Sequence, residues 1–259
     1  MISRIVLIGA GSAAGKTKFL RELEARLEGK VTTIFISLDR GYRTPSQSDL
    51  ENVKAYNFDN PDAFDWPLLV QTARVIDGKI RDAKLGDTLE YELPVYDFKT
   101  HKRADEFEKF KVVLDKPRVV IVLEGIFALY NRDLLEMADI KIFIDANKET
   151  RAFRRVIRDL LFRERDILSI VLQFLKFVEP AYEQVVLATK QHATITVNNN
   201  ISVEEIENIM RELKELGCAN FTPDEMKRVF ANKEETFVTG IGKSFNESIM
   251  FISQFISGE

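Results

Sequence analysis

The stretch Ala10-Gly11-Ser12-Ala13-Ala14-Gly15-Lys16-Thr17 has the A-x-x-x-x-G-K-T spacing of a loop that grips phosphate, with alanine where a glycine usually stands. In such a loop the backbone N–H groups of Gly11, Ser12, Ala13, Ala14 and Gly15 ring anionic oxygens. Lys16 reaches the terminal phosphates and the Thr17 hydroxyl ligates magnesium. Alanine at position 10 is acceptable provided the backbone there needs no positive φ. The same residues also read as Gly9-Ala10-Gly11-Ser12-Ala13-Ala14, the G-x-G-x-x-A turn of a dinucleotide-binding oxidoreductase. Lys16 and Thr17 weigh against that reading, because a dinucleotide turn has no use for them. It also needs an acid about 20 positions past the glycines to hold a ribose. That position falls near Val31, and the first acid beyond it is Asp39.

Two carboxylates and a row of cations extend the chemistry. Asp39 follows the run VTTIFISL (31–38), and Glu124 lies near the end of RVVIVLEG (118–125). If both runs are strands of one open parallel sheet, both acids reach the edge where such sheets bind ligands. A carboxylate there can take a proton from an attacking hydroxyl or help to hold a metal. Downstream, Arg151, Arg154, Arg155 and Arg158 recur at helical spacing, followed by Arg163 and Arg165, within a segment of about 151–180. On a movable lid these guanidinium groups would spread positive charge over a transferring phosphoryl group and exclude water. The plainer alternative is a solvated face on which they pair with Asp159, Glu164 and Asp166.

Such groups need a frame. The apolar runs 4–9, 31–38, 118–125, 140–145 and 193–198 read as buried parallel strands. Between them the pattern predicts helices over 16–28, from Asn60-Pro61-Asp62 to about Ile76 before Gly78, over 151–162, over 167–190 with a kink or interruption at Pro180, and over 202–216. Alternation of this kind implies an α/β fold, a five-stranded parallel sheet flanked by helices. Residues 88–98 and about 107–114 interrupt it as a small antiparallel annex. Helices from Thr222 and over 244–256 form a C-terminal extension. The expected division is a phosphate-binding domain over 1–217, with the annex insertion over about 80–117, and the extension over 218–259.

The 259 residues are enough for that plan. A composition 45% hydrophobic and 30% charged excludes a mostly disordered chain, and a net charge of -4 argues against a broad nucleic-acid surface. The single Cys218 leaves no internal disulfide and suits a reducing compartment. Neither a signal segment nor a bilayer-spanning run is visible, so a cytoplasmic location without a membrane partner is expected.

Five further stretches carry a family resemblance: YNFDNPDAFDWPLL (56–69), PVYDFKTHKR (94–103), VVIVLEGIFALY (119–130), RRVIRDLLFRERD (154–166) and FVEPAYEQVVLATKQHATITV (177–197). Together they resemble the uridine-cytidine kinases, within the wider group that includes phosphoribulokinase, from about Ile5 to Val197. The resemblance implies a P-loop kinase fold and transfer of phosphate from ATP or GTP to a nucleoside 5′-hydroxyl. It implies Asp39 as catalytic base, with Lys16, Arg158 and Arg163 as further catalytic groups. Magnesium would lie by Thr17, Asp39 and Glu124, and the donor along Gly11 to Thr17 and Arg155. The implied acceptor site comprises Tyr42, Phe58, Asp59, Tyr96, Phe98, His101, Ile126, Arg155, Arg158 and Gln173, with Asp59 on the ribose hydroxyls and His101 on the C4 substituent. A small-molecule nucleoside substrate and a homo-oligomer are expected.

The residue chemistry agrees. A carboxylate among aromatic rings suits adjacent hydroxyls and a flat base, and neutral imidazole can donate to a carbonyl or accept from an amine. The chain departs from the family pattern at Arg40-Gly41, where Ser-Phe is usual, at Glu164, where the lid usually has glycine, and in a longer span over 80–92. Two alternatives stay open. One is a P-loop kinase of another small alcohol, such as a sugar phosphate or vitamin precursor; the other is a nucleotide-dependent switch or binding protein.

Overall fold

The computed structural model describes residues 1–53, 56–163, 165–200 and 243–257. Its strands are β1 (Ile2–Ala10), β2 (Thr32–Ser37), β3 (Thr88–Asp97), β4 (Lys102–Val113), β5 (Arg118–Gly125), β6 (Ile140–Asp145) and β7 (Ile195–Asn198). Five of them make one parallel sheet in the order β2-β5-β1-β6-β7, and β3 and β4 form a separate antiparallel hairpin. The unbroken apolar runs follow from burial on both faces. On one face, Leu7, Ile121 and Leu123 pack with Leu69, Ala73 and Ile76. On the other, Ile8, Val120 and Val122 pack with Phe19, Leu23 and Leu27. Because β5 and β6 flank β1, the end of β1 lies where the strand order reverses, which is where open α/β sheets take ligands.

Helix α1 (Lys16–Leu27) starts directly from the phosphate-type loop, and Phe19, Leu23 and Leu27 form its buried stripe. The helix expected from Asn60 begins later. Asn60 caps only a short 3-10 turn, Pro61–Ala63, accepting from Asp62 N at 3.0 Å. A second cap follows: Asp65 accepts from Leu68 N, and with Pro67 in the first turn it opens α3 (Trp66–Asp82). That helix runs through Gly78, since burial of Ile76 and Ile80 outweighs the roughly 1 kcal/mol propensity cost of one glycine.

Short helices α2 (Gln47–Glu51) and α4 (Arg132–Met137) complete the connections on that side, and α5 (Lys148–Phe162) follows β6. After α6 (Ile167–Gln173) the irregularity expected at Pro180 takes the form of widened turns within a continuous helical path. The chain stays helical through π turns at Phe174–Val178 and Tyr182–Val186, on either side of Glu179–Ala181. Widened turns accommodate a residue that cannot donate and whose ring crowds the preceding turn. The C-terminal helix Lys243–Ser257 lays Ile249, Ile252 and Ile256 against the Phe19, Leu23 and Leu27 cluster, and Arg118 donates to the Ser257 carbonyl. The helices expected over 202–216 and from Thr222 lie outside the described residues. No described helix is long and apolar enough to cross a membrane.

Candidate active site

The loop between β1 and α1 is a compact anion cradle. Ala14 N donates to Gly11 O at 3.1 Å, Gly15 adopts φ 94° and Ala13 the unusual φ 63°, while Ala10 simply ends β1. Left-handed non-glycine backbone is uncommon, so Ala13 holds a conformation its surroundings must enforce. Those surroundings are specific. Asn199 Nδ2 donates to Ala14 O at 2.7 Å, and Arg154 Nη1 donates to Asn199 O at 2.9 Å. Arg151 lies 3.5 Å over the Tyr182 ring and pairs with buried Glu179 at 2.8 Å. A Cβ on Gly11 would come within 2.8 Å of the Tyr182 ring, so glycine is required there by space. The arginine row therefore divides. Arg151 and Arg154 are buried braces of the loop, not lid residues, because β7 and the helix after α6 close over them.

Beside the loop stand the two carboxylates. Asp39 sits in the 3-10 turn Leu38–Gly41 that follows β2, and Glu124 on β5 is in register with Ser37 on one side and Ile8 on the other. Lys16 is ion-paired with Glu124. Burial lowers the Lys16 pKa against the opposing charge of Asp39. Burial likewise raises Asp39 above the usual carboxylate range, opposed by the positive charges of Lys16, Arg163 and Arg158.

The remaining arginines gather on one acid. Fully buried Asp159 accepts from Arg158 at 2.7 Å and lies 3.4 Å from Arg163 and 3.6 Å from both Arg155 and Arg165. Burial pushes Asp159 up, but the hydrogen bond from Arg158 and the charges of Arg158, Arg155 and Arg163 hold it below its ordinary value. Arg155 also bridges two elements, donating to Ser12 Oγ in the loop and to Gln173 Oε1 on α6, each at 2.8 Å. Arg165 donates to the same Gln173 oxygen at 2.7 Å.

The aromatic residues singled out in the sequence come together. Tyr42 is the hub, with ring centroids 5.8 Å from Phe58, 5.3 Å from Tyr96 and 6.5 Å from Phe98, and Phe58 stacks on His101 at 5.0 Å. His101 occupies the hairpin turn at φ 56°. Phe98 is 60% exposed, and Ile126 is partly buried against the core on the α3 face, to which Tyr42 and Tyr96 also belong. Burial pushes the Tyr96 phenol up to about 12, and among the described residues its hydroxyl has no hydrogen-bond partner. Asp59 is raised chiefly by burial, offset by the charges of Arg155 and Arg158 and reinforced by that of Asp39. Arg103, two residues after His101, pairs with Asp65 at 2.7 Å and fastens the hairpin.

Thr17, Asp39 and Glu124 offer a hydroxyl and two carboxylates, hard-oxygen donors of the chemical type that magnesium takes. Among the described residues no group of three His, Cys, Asp or Glu forms a dedicated metal cage.

Residues 5–215 match the model of the phosphoribulokinase / uridine kinase family. The chain is 41% identical over 193 residues to uridine-cytidine kinase B of Dictyostelium discoideum, covering 74% of this chain and 73% of that one. It is 32% identical over 213 residues to a uridine kinase of Lactobacillus johnsonii, covering 81% and 94%. Among solved structures, one from Silicibacter sp. TM1040 assigned to a fructose transport system kinase superposes with TM-score 0.57 at 14% identity, over 75% of this chain and 89% of that one, a likeness of fold alone. A braced phosphate loop, paired acids on neighbouring strand tips and the family match over most of the sequence place this chain in the phosphoribulokinase / uridine kinase family.

Proposed function

We propose that the chain transfers the γ-phosphate of ATP or GTP to the 5′-hydroxyl of uridine or cytidine. The observation that carries this reading is the convergence of Asp39, Asp59 and the Tyr42-Phe58-His101 cluster beside the loop. The donor phosphates lie on the backbone of residues 11–15, and Lys16 leaves Glu124 for their oxygens. Thr17, Asp39 and Glu124 would hold magnesium, whose charge would offset that of the phosphates. The base lies among Phe58, Tyr96, Phe98 and Ile126, His101 meets its C4 substituent, and Asp59 takes the ribose hydroxyls. Asp39 accepts the 5′-hydroxyl proton as the new O–P bond forms and the bond to the leaving oxygen of the nucleoside diphosphate breaks. Arg155, Arg158 and Arg163 stabilise the charge on the transferring group, and Gln173 fixes Arg155. A cytoplasmic, homo-oligomeric enzyme fits this role.

A panel of nucleosides, sugar phosphates and vitamin precursors, with ATP as donor and product identification, tests the reading. Uridine and cytidine should be phosphorylated at the 5′ position, and His101→Ala should weaken pyrimidine acceptors selectively. Turnover of another alcohol in preference to both nucleosides would overturn it.

A further inference from the structure

Arg40 and Gly41, where this chain departs from the usual Ser-Phe, occupy the turn that carries Asp39. Gly41 is required by space: a Cβ there would lie 2.5–2.7 Å from the Leu69 side chain. The backbone of this turn is stitched to the segment after Asp59, with Asp65 N donating to Gly41 O and Arg43 N to Ala63 O, both at 2.8 Å. Arg40 reaches the other way. Its Nη1 donates to Pro94 O at 3.2 Å and to Glu108 Oε2 at 2.9 Å, and its guanidinium lies 5.5 Å over the Phe110 ring. Phe110 in turn stacks on Tyr91 across the hairpin, at 5.3 Å.

The place of contact matters. Pro94 pairs with Phe107, but Tyr96 pairs with Arg103, so the single β3 residue between these pairs, Val95, lies opposite three of β4, Ala104, Asp105 and Glu106, and the ladder is broken there. Such a bulge bends the hairpin and leaves a carbonyl without its ladder partner. Everything beyond it, Tyr96, Phe98 and His101, belongs to the aromatic cluster. Arg40 binds the carbonyl at the bend and the two side chains just below it. One residue from the Asp39 position thereby sets the hinge that aims the base-recognising tip.

We infer that Arg40 is a positioning residue, which holds the acceptor hairpin in register with Asp39 through Pro94, Glu108 and Phe110. This rests on the assignment of the hairpin tip to the acceptor. Arg40 touches neither the phosphate loop nor Lys16, so its effect falls on one substrate. In steady-state assays with a pyrimidine nucleoside and ATP, Arg40→Ala should raise the acceptor KM about five- to twentyfold, the range set by charge-assisted hydrogen bonds that are partly exposed. The ATP KM should stay within about twofold. Glu108→Gln should give a smaller change in the same direction, and the double variant should fall short of the product of the two single effects. Equal rises in both KM values, or an unchanged acceptor KM, would overturn the inference.

Hydrogen exchange reads the clamp without turnover. Amides of residues 96–103 should exchange faster in Arg40→Ala while those of β1 and β5 keep their protection. Uniformly faster exchange would mean a global fault and would sink the proposal. If the acceptor panel fails but the tip loosens alone, the clamp stands and the substrate assignment is what falls.

Discussion

At the scale of single residues the central quantity is the proton affinity of Asp39. Burial raises it, so the carboxylate is a better base than an exposed one, while the positive charges of Lys16, Arg163 and Arg158 oppose the rise. The sign follows. With Asp39 as the proposed base, activity requires the ionised form and is lost as pH falls through the raised value, so the acid limb of kcat/KM should lie above the ordinary 3.8. Asp39→Asn should lower kcat by about 10²–10⁴-fold and abolish that limb, measured by pH-rate profiles at saturating ATP. A variant that kept the limb would assign it to another group. Lys16, Asp39 and Glu124 were legible in the sequence because their meaning lies in a short motif or at a strand end. Asn199 and Arg154 were not, since Asn199 serves Ala14 across 185 positions. The only local signal was the run Asn198-Asn199-Asn200 after the last strand, at the ligand-binding edge.

At the scale of elements, α5 works with two faces. Arg151 and Arg154 are sealed against the loop, whereas Arg155 and the more open Arg158 gather on Asp159. Periodicity put all four on one broad face because it reports spacing and not what packs there. Asp159 makes the open face possible by compensating four nearby cations. Its folded pKa is depressed, so its contribution is present above 3.8 and is lost as pH falls through the folded value. Asp159→Asn should therefore cost on the order of 3 kcal/mol at neutral pH, as expected for breaking a buried ionic cluster. The gap from the parent should narrow on acidification, as followed by denaturant unfolding. A gap independent of pH would mean that packing and not charge holds the cluster. The hairpin shows the same limit of sequence reading. Its strands were visible as extended segments, but β4 starts at Lys102, well before the expected 107, because residues 102–106, exposed apart from the half-buried Arg103, carry no alternating hydrophobic signal.

At the scale of the whole molecule the two faces of the sheet have separate duties. Tyr42 and Tyr96 of the aromatic cluster belong to the core on the α3 face, whereas the C-terminal helix belongs to the core on the α1 face. The amphipathic pattern over 244–256 announced a helix but not its berth, since three isoleucines can meet any apolar surface. Phe19, Leu23 and Leu27 supply that surface, and the helix also contacts β7 at the sheet edge. Its isoleucines thus stabilise the fold without touching the acceptor side. Ile252, fully buried, isolates the effect: Ile252→Ala should cost about 2–5 kcal/mol through lost burial and the cavity left behind. For a chain of this size that is a fall in Tm of roughly 5–15 °C, read by calorimetry or circular dichroism. At a temperature where the variant is still folded, its acceptor KM should match the parent's. A raised acceptor KM with unchanged Tm would instead show that the extension reaches across the sheet to the substrate side.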